Sequence, residues 1–218
     1  MKQVGAIILA AGQARRFGTG PEDTKVLALL DGVPLIRHVA EAALGSQAGP
    51  IIVVTGHAGQ RVEAALADLD IQFVHNPDPA AGLSQSLRLG LDHLPGHVSG
   101  AIILLADMPY VSAQLIDRLL AAFELAPAEA LAIVPVRAGR RGNPVLLGKD
   151  IFAAVKEIEG DRGARSLLDA LEHGIIEVPI DDQAIDIDVD TPEMLDNLSK
   201  KPLPKQPEPA PLNSEAKP

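Results

Sequence analysis

Ten residues near the start of the chain, LAAGQARRFG from Leu9 to Gly18, place small residues and two adjacent arginines directly after an apolar run. Ala10, Ala11 and Gly12 leave backbone N–H groups open to close approach by an anion. Arg15 and Arg16 add planar guanidinium forks that suit phosphate oxygens. Lys25 follows a Gly/Pro/Asp-rich segment that can fold back over the same place. Together these groups suit a triphosphate. The spacing is neither G-x-x-x-x-G-K-[ST] nor G-x-G-x-x-G, so a plain strand-to-helix turn with solvated arginines is the competing reading.

Asp107 closes the apolar run AIILLA and precedes Met108-Pro109. A carboxylate at the end of a buried strand is costly unless it is paired or bound to metal. Oxygen ligands of this kind suit Mg²⁺, which takes one or two carboxylates plus substrate phosphates. The competing role is a cap for the helix near Ser112. In AIDIDVDTPEML, Asp186, Asp188 and Asp190 alternate, which on a strand puts them on one face. Asp188 or Asp190 is a candidate second metal ligand, against a solvated strand face.

Three further stretches carry polar groups at turns. NPDPAAGLSQSLRLGL places Gly82, Ser84 and Ser86 at a turn and helix start, either to read a base, ribose or phosphate or simply to cap the helix. AGRRGNPV puts Arg141, Gly142 and Asn143 between two strands, as an anion site for a second substrate or a solvated hairpin tip. His57, in VTGHAG, is the histidine placed beside the expected cleft. The histidines show no metal-ligand spacing, and no G-x-S-x-G or H-E-x-x-H pattern occurs.

The elements that must position these residues alternate. Strands are expected at Val4–Ala10, Ile51–Thr55, Ile71–His75 and Ala101–Ala106, each followed by an amphipathic helix: Pro34–Leu44, Gln60–Ala67, Leu83–Leu91 and Ser112–Leu125. Later come strands at Leu131–Val136, Pro144–Leu147, Ile175–Pro179 and Ile185–Val189. Helices are expected at Ile151–Ile158 and Ala164–His173, and a last one starts at Thr191-Pro192. This order predicts an α/β fold with a mostly parallel sheet covered on both faces. It occupies residues 1–199, followed by a disordered Pro-rich tail, residues 200–218.

The chain has 218 residues and a formal net charge of −10, with 47% hydrophobic but only 2% aromatic residues. An aliphatic core follows. Acidity and the near absence of stacking side chains argue against a nucleic-acid partner. With no cysteine, thiolate metal sites, disulfides and a cysteine nucleophile are excluded. No signal-peptide core or stretch of about 20 apolar residues is present. A cytoplasmic protein with no membrane partner is expected.

Taken together, the motifs resemble the molybdenum cofactor nucleotidyltransferase family. LAAGQARRFG…TK is similar to its first block, L-A-A-G-x-S-x-R-M-G-x-x-K. VTGHAGQRV, NPDPAAGLSQSLRLGL, LLADMP, GRRGNPV, GDRGAR and DVDTPEML resemble its later blocks in the same order. The Ala-Ala-Gly form and GRRGNPV look like the cytidylyltransferase branch. The resemblance implies a three-layer, Rossmann-like nucleotidyltransferase fold. It also implies Mg²⁺-dependent transfer of CMP from CTP to molybdopterin, giving the cytosine dinucleotide and pyrophosphate, with an apo-molybdoenzyme as a further partner.

On this mapping Arg16, Lys25 and Asp107 are catalytic. Leu9, Ala10, Ala11, Gly12, Arg15, Lys25, Gly82, Ser84 and Ser86 bind the nucleotide. His57, Arg141, Gly142 and Asn143 lie on the acceptor side, and Asp107 with Asp188 or Asp190 holds the metal. The chain departs from the pattern at Ala14, Phe17 and Ala106, and at Asn143, where many cytidylyl members carry His. GTP as donor, another phosphorylated acceptor, or a non-catalytic carrier of the cofactor are the alternatives.

Overall fold

The computed structural model describes residues 2–12, 17, 24–158, 160, 168–169, 171 and 173–200. Arg15, Arg16, most of the expected 164–173 helix and the tail beyond Lys200 lie outside the described residues.

The strands are β1 (Val4–Ala10), β2 (Leu29–Leu30), β3 (Val33–Pro34), β4 (Ile51–Thr55), β5 (Gln72–His75), β6 (Gly100–Leu105), β7 (Ala132–Arg137), β8 (Arg140–Arg141), β9 (Val145–Gly148) and β10 (Ile175–Pro179). The helices are α1 (Leu35–Leu44), α2 (Gly59–Ala65), α3 (Leu83–His93), α4 (Ala113–Leu125) and α5 (Phe152–Lys156), with a last helix over Pro192–Lys200. All seven residues of β1 and all five of β4 are buried. That is why these strands read as unbroken apolar runs: a strand covered on both faces has no polar side to display.

The main sheet has the order β10-β7-β9-β6-β1-β4-β5, with β8 paired to β7. β1 pairs in parallel with β4 and with β6, β4 with β5, and β7 with β10. β9 runs antiparallel between β6 and β7. Strand residues alternate between two cores. Val4, Ala6, Ile8, Ile102 and Leu104 pack with Ile36, Val39 and Ala40 of α1, Val62 of α2 and Leu115, Ile116 and Leu119 of α4. Ile7, Leu9, Ile52, Val54 and Ile103 pack with Leu87 and Leu91 of α3 and Val155 of α5. The fold is therefore a three-layer α/β/α sandwich around a mostly parallel sheet, as expected. No helix among the described residues is long and apolar enough to cross a membrane.

One expected element is absent. Ile185–Val189 is not a strand: a 3-10 turn over Gln183–Ile185 leads into irregular chain. Ile185 and Val189 are both buried, but in different places. Ile185 joins the α1/α4 core, and Val189 packs with Leu30 and Leu35 under Leu195 and Leu198 of the last helix. The alternation Ile-Asp-Ile-Asp-Val-Asp imitates a strand, yet its apolar residues do not share one face.

The predicted N-terminus of the last helix holds: Thr191 Oγ1 accepts from the Met194 N–H at 3.2 Å. At α4 it is Ser112 that caps, its Oγ accepting from Leu115 N–H at 3.2 Å.

Candidate active site

The parallel strands deliver their carboxyl ends to one edge of the sheet, where open α/β folds bind ligands. Ala11-Gly12 follow β1, Asn76 follows β5 and Asp107 follows β6. β9 starts at this same edge because it runs the other way: its first residue, Val145, is opposite Ile103 near the end of β6. The segment before β9, Arg140 to Asn143, is thereby carried to the cleft.

Lys25 and three carboxylates form the centre. Lys25 opens a 3-10 turn over Lys25–Leu27 that is pinned by the buried Val26. Its Nζ lies 2.5 Å from Asp107 Oδ2 and 2.7 Å from Asp190 Oδ1. Burial works against the ammonium charge, but the two carboxylates outweigh it and the Lys25 pKa is raised.

Asp188 and Asp190 reach Asp107 because Val189 between them is buried and its N–H donates to the Asp107 carbonyl at 2.9 Å. Oxygens of Asp107, Asp188 and Asp190 all lie within 4.8 Å of one another. Burial first, and then the charges of Asp190 and Asp107, raise the Asp188 pKa. A cluster of hard oxygens with an excess of negative charge, already drawing in one cation, fits a divalent metal ion. Asp186, the third member of the alternating set, goes elsewhere. It pairs with Arg137 at 3.0 Å.

Two cavities flank this centre. One, of about 400 Å³, is lined by Leu9, Ala11, Gly12, Lys25, Gly82, Ser86 and Asp107 among others. Ala10 is buried at the end of β1 and Ser84 is buried in α3; neither lines it. Gly82 has φ 95° and ψ −177°, a backbone state essentially confined to glycine, and it turns the chain into α3. No side chain caps that helix, so the serines do not serve as caps. Ser86 instead meets a group not singled out from the sequence: Asn76, fully buried, donates from Nδ2 to Ser86 Oγ at 2.9 Å. The Asn-Pro-Asp turn at the end of β5 is the signal that could have found it.

The other cavity, of about 580 Å³, is lined by Arg140, Arg141, Gly142, Asn143, Asp186 and Asp188 among others. Arg141 is held by Glu177 at 2.8 Å and Asp169 at 3.5 Å. Arg140 is exposed, and its side chain has no partner among the described residues. Gly142 is there for room: a Cβ would sit 2.6 Å from the Ile185 carbonyl oxygen. The Asn143 N–H donates to that carbonyl at 3.1 Å. Leu105 lines both cavities, so they adjoin at the end of β6 beside Asp107. His57 is exposed after β4 and lines neither.

Comparison with known proteins shows what the chain is similar to. Nicotine blue oxidoreductase of Paenarthrobacter nicotinovorans is 29% identical over 202 residues, covering 89% of this chain and 96% of that protein. The bifunctional protein GlmU of Legionella pneumophila (strain Philadelphia 1) is 32% identical over 114 residues, 52% of this chain. The match covers 24% of GlmU, so the chain spans about a quarter of that relative. The crystal structure of the Rv0371c homologue from Mycobacterium sp. strain JC1 has a TM-score of 0.76 at 27% identity, covering 90% of this chain and 95% of that one. The family model of the MobA-like NTP transferase domain matches residues 6–175, and with its nucleotidyltransferase-like fold the chain belongs to that family.

Proposed function

We propose that this chain transfers CMP from CTP to molybdopterin, yielding molybdopterin cytosine dinucleotide and pyrophosphate. The observation that carries the proposal is the place of Lys25 and its carboxylates at the join of two cavities. One cavity has small residues and a glycine turn, and the other carries arginines. A donor nucleotide in the first and a phosphorylated acceptor in the second would meet at Asp107.

The chemistry asks little beyond that. The acceptor phosphate is largely ionised at neutral pH, its second pKa being about 6. One of its oxygens attacks the α-phosphorus, the new P–O bond forms, and the bond to pyrophosphate breaks. No general base is required. The protein must hold two anions together and offset the charge that grows on the leaving group. Lys25 is the cation at that point. Asp107, Asp188 and Asp190 would hold Mg²⁺, which when bound supplies charge neutralisation at the phosphates. Arg140, unpaired at the rim of the second cavity, suits the acceptor's phosphate, and Asn143 and Gly142 shape the wall beside it.

The test is pyrophosphate release with Mg²⁺ and molybdopterin, comparing CTP, GTP, ATP and UTP. Release with CTP is expected. Release with GTP in its place overturns the choice of donor. Release only with a different phosphorylated acceptor overturns the choice of molybdopterin. Binding of both substrates without release supports a carrier. The near full-length match to nicotine blue oxidoreductase favours a second reading, redox chemistry on a small organic substrate. Under that reading the protein consumes a reductant and releases no pyrophosphate.

A further inference from the structure

Asn76 has no exposed surface, yet every polar group of its side chain is committed. Its Oδ1 accepts from the Asp78 N–H at 2.9 Å, and its Nδ2 donates to Ser86 Oγ at 2.9 Å. Its own N–H donates to the Thr55 carbonyl at 2.8 Å, which fixes the residue at the end of β5. The orientation of the amide follows from chemistry. A backbone N–H can only donate, so Oδ1 must face Asp78 and the NH₂ must face Ser86.

That sets the serine. Its oxygen is used as an acceptor, so its one proton is left to point elsewhere, and no acceptor for it exists among the described residues. Ser86 lines the nucleotide-side cavity. The wall there therefore presents a hydrogen-bond donor.

The position says which part of a nucleotide the donor meets. Asp107 follows β6 and Asn76 follows β5, with β1 and β4 between them. Three strand spacings separate the two ends, about 14 Å. With phosphates at Lys25 and Asp107, the far end of the cavity receives the nucleoside.

We propose that Asn76 is a positioning residue that sets base preference. It holds the Ser86 hydroxyl as a donor toward the acceptor edge of cytosine, its O2 and N3, and against the N–H donors that guanine carries on its corresponding edge. The inference rests on the nucleotidyl-transfer reading above.

The test is equilibrium binding of CTP, dCTP and GTP to the wild-type chain and to Ser86→Ala and Asn76→Asp, followed by steady-state kinetics. The wild-type chain is expected to prefer CTP. Ser86→Ala should weaken CTP about tenfold, the worth of one good hydrogen bond, and barely change GTP. A carboxylate can only accept, so Asn76→Asp should turn the hydroxyl proton away from the cavity. CTP then weakens at least as much, and GTP tightens. The same pattern should hold with dCTP, and the loss in turnover should fall on KM more than on kcat.

Equal losses for CTP and GTP would mean a merely structural role and overturn the inference. So would CTP binding unchanged in Ser86→Ala, an effect that vanishes with dCTP, or a wild-type preference for GTP. If Asn76→Asp does not fold, Ser86→Ala decides alone. A wild-type chain that binds no nucleotide defeats the nucleotidyl-transfer reading as well, whereas one that binds CTP as its variants do defeats this inference only.

Discussion

Lys25→Met is the substitution that bears most directly on the site, because it removes one cation from among three carboxylates and leaves the volume nearly filled. The Asp107, Asp188 and Asp190 oxygens lie within 4.8 Å of one another. At that distance two unit charges repel by about 1 kcal/mol in water-like surroundings and about 3.5 kcal/mol at an effective dielectric of 20. The Lys25 and Asp107 side chains are 20% and 17% exposed, while Asp190 at 48% is well screened by solvent. The variant should therefore lose about 2 kcal/mol, between the exposed and buried limits. For a chain of this size that is about 4–8 °C in Tm.

Thermal unfolding with and without MgCl₂ tests the sign of the argument. Mg²⁺ should raise the Tm of Lys25→Met more than that of the wild-type chain, because the ion then meets three carboxylates with no ammonium among them. Nucleotidyl transfer should fall by at least about 10²-fold, the usual cost of losing one group that stabilises transition-state charge. A variant with wild-type Tm, no extra response to Mg²⁺ and full transfer would refute both the coupling of Lys25 to the carboxylates and its role in the reaction.

Asp107→Asn should lower transfer by about 10² or more while circular dichroism stays native, and near-normal activity would remove Asp107 from the metal site. Gly142→Ala forces a methyl against the Ile185 carbonyl oxygen. It should cost about 1–3 kcal/mol in denaturant unfolding and raise the acceptor KM, and an unchanged midpoint would refute the packing argument. Away from the site, Arg37 donates to Asp68 at 2.8 and 2.7 Å and holds its carboxyl down at about 2, against 3.8 unperturbed. A depressed acid adds stability above its unfolded pKa and loses it as pH falls through the folded value. Asp68→Asn should therefore lower Tm slightly at neutral pH and have no effect below about pH 2; a gap that persists in acid would contradict this.

The parts of this molecule that the sequence displays are those governed by burial along a single element. β1 and β4 were legible to the residue because a strand buried on both faces must be apolar throughout. Asp107 was legible as a charged residue just outside an apolar run, and Lys25 as a cation after a Gly/Pro/Asp-rich segment. What local pattern cannot carry is the partner of each element. Nothing in PVLLG says that β9 enters the sheet antiparallel between β6 and β7. Yet that reversal is what carries Arg140, Gly142 and Asn143 to the carboxyl edge of the parallel strands.

The aspartates make the same point from the opposite side. Their alternation suggested a strand with three carboxylates on one face, and Asp188 and Asp190 do meet Asp107. The cause is different: a buried Val189, hydrogen-bonded to the Asp107 backbone, presents its two neighbours to the centre, while Asp186 is drawn to Arg137. Asn76 was hidden for a related reason. Its turn is visible in the sequence, but its hold on Ser86 crosses from a strand end to the first turn of the following helix. The two halves of the site are thus built differently. The cavity beside Lys25, which the proposed function gives to the nucleotide, is assembled from the ends of neighbouring parallel strands, and the cavity proposed for the acceptor from one reversed strand and an irregular segment clamped to it. Substitutions that alter acceptor choice should therefore concentrate in residues 140–143 and 185–190, where chain direction rather than strand order sets the geometry.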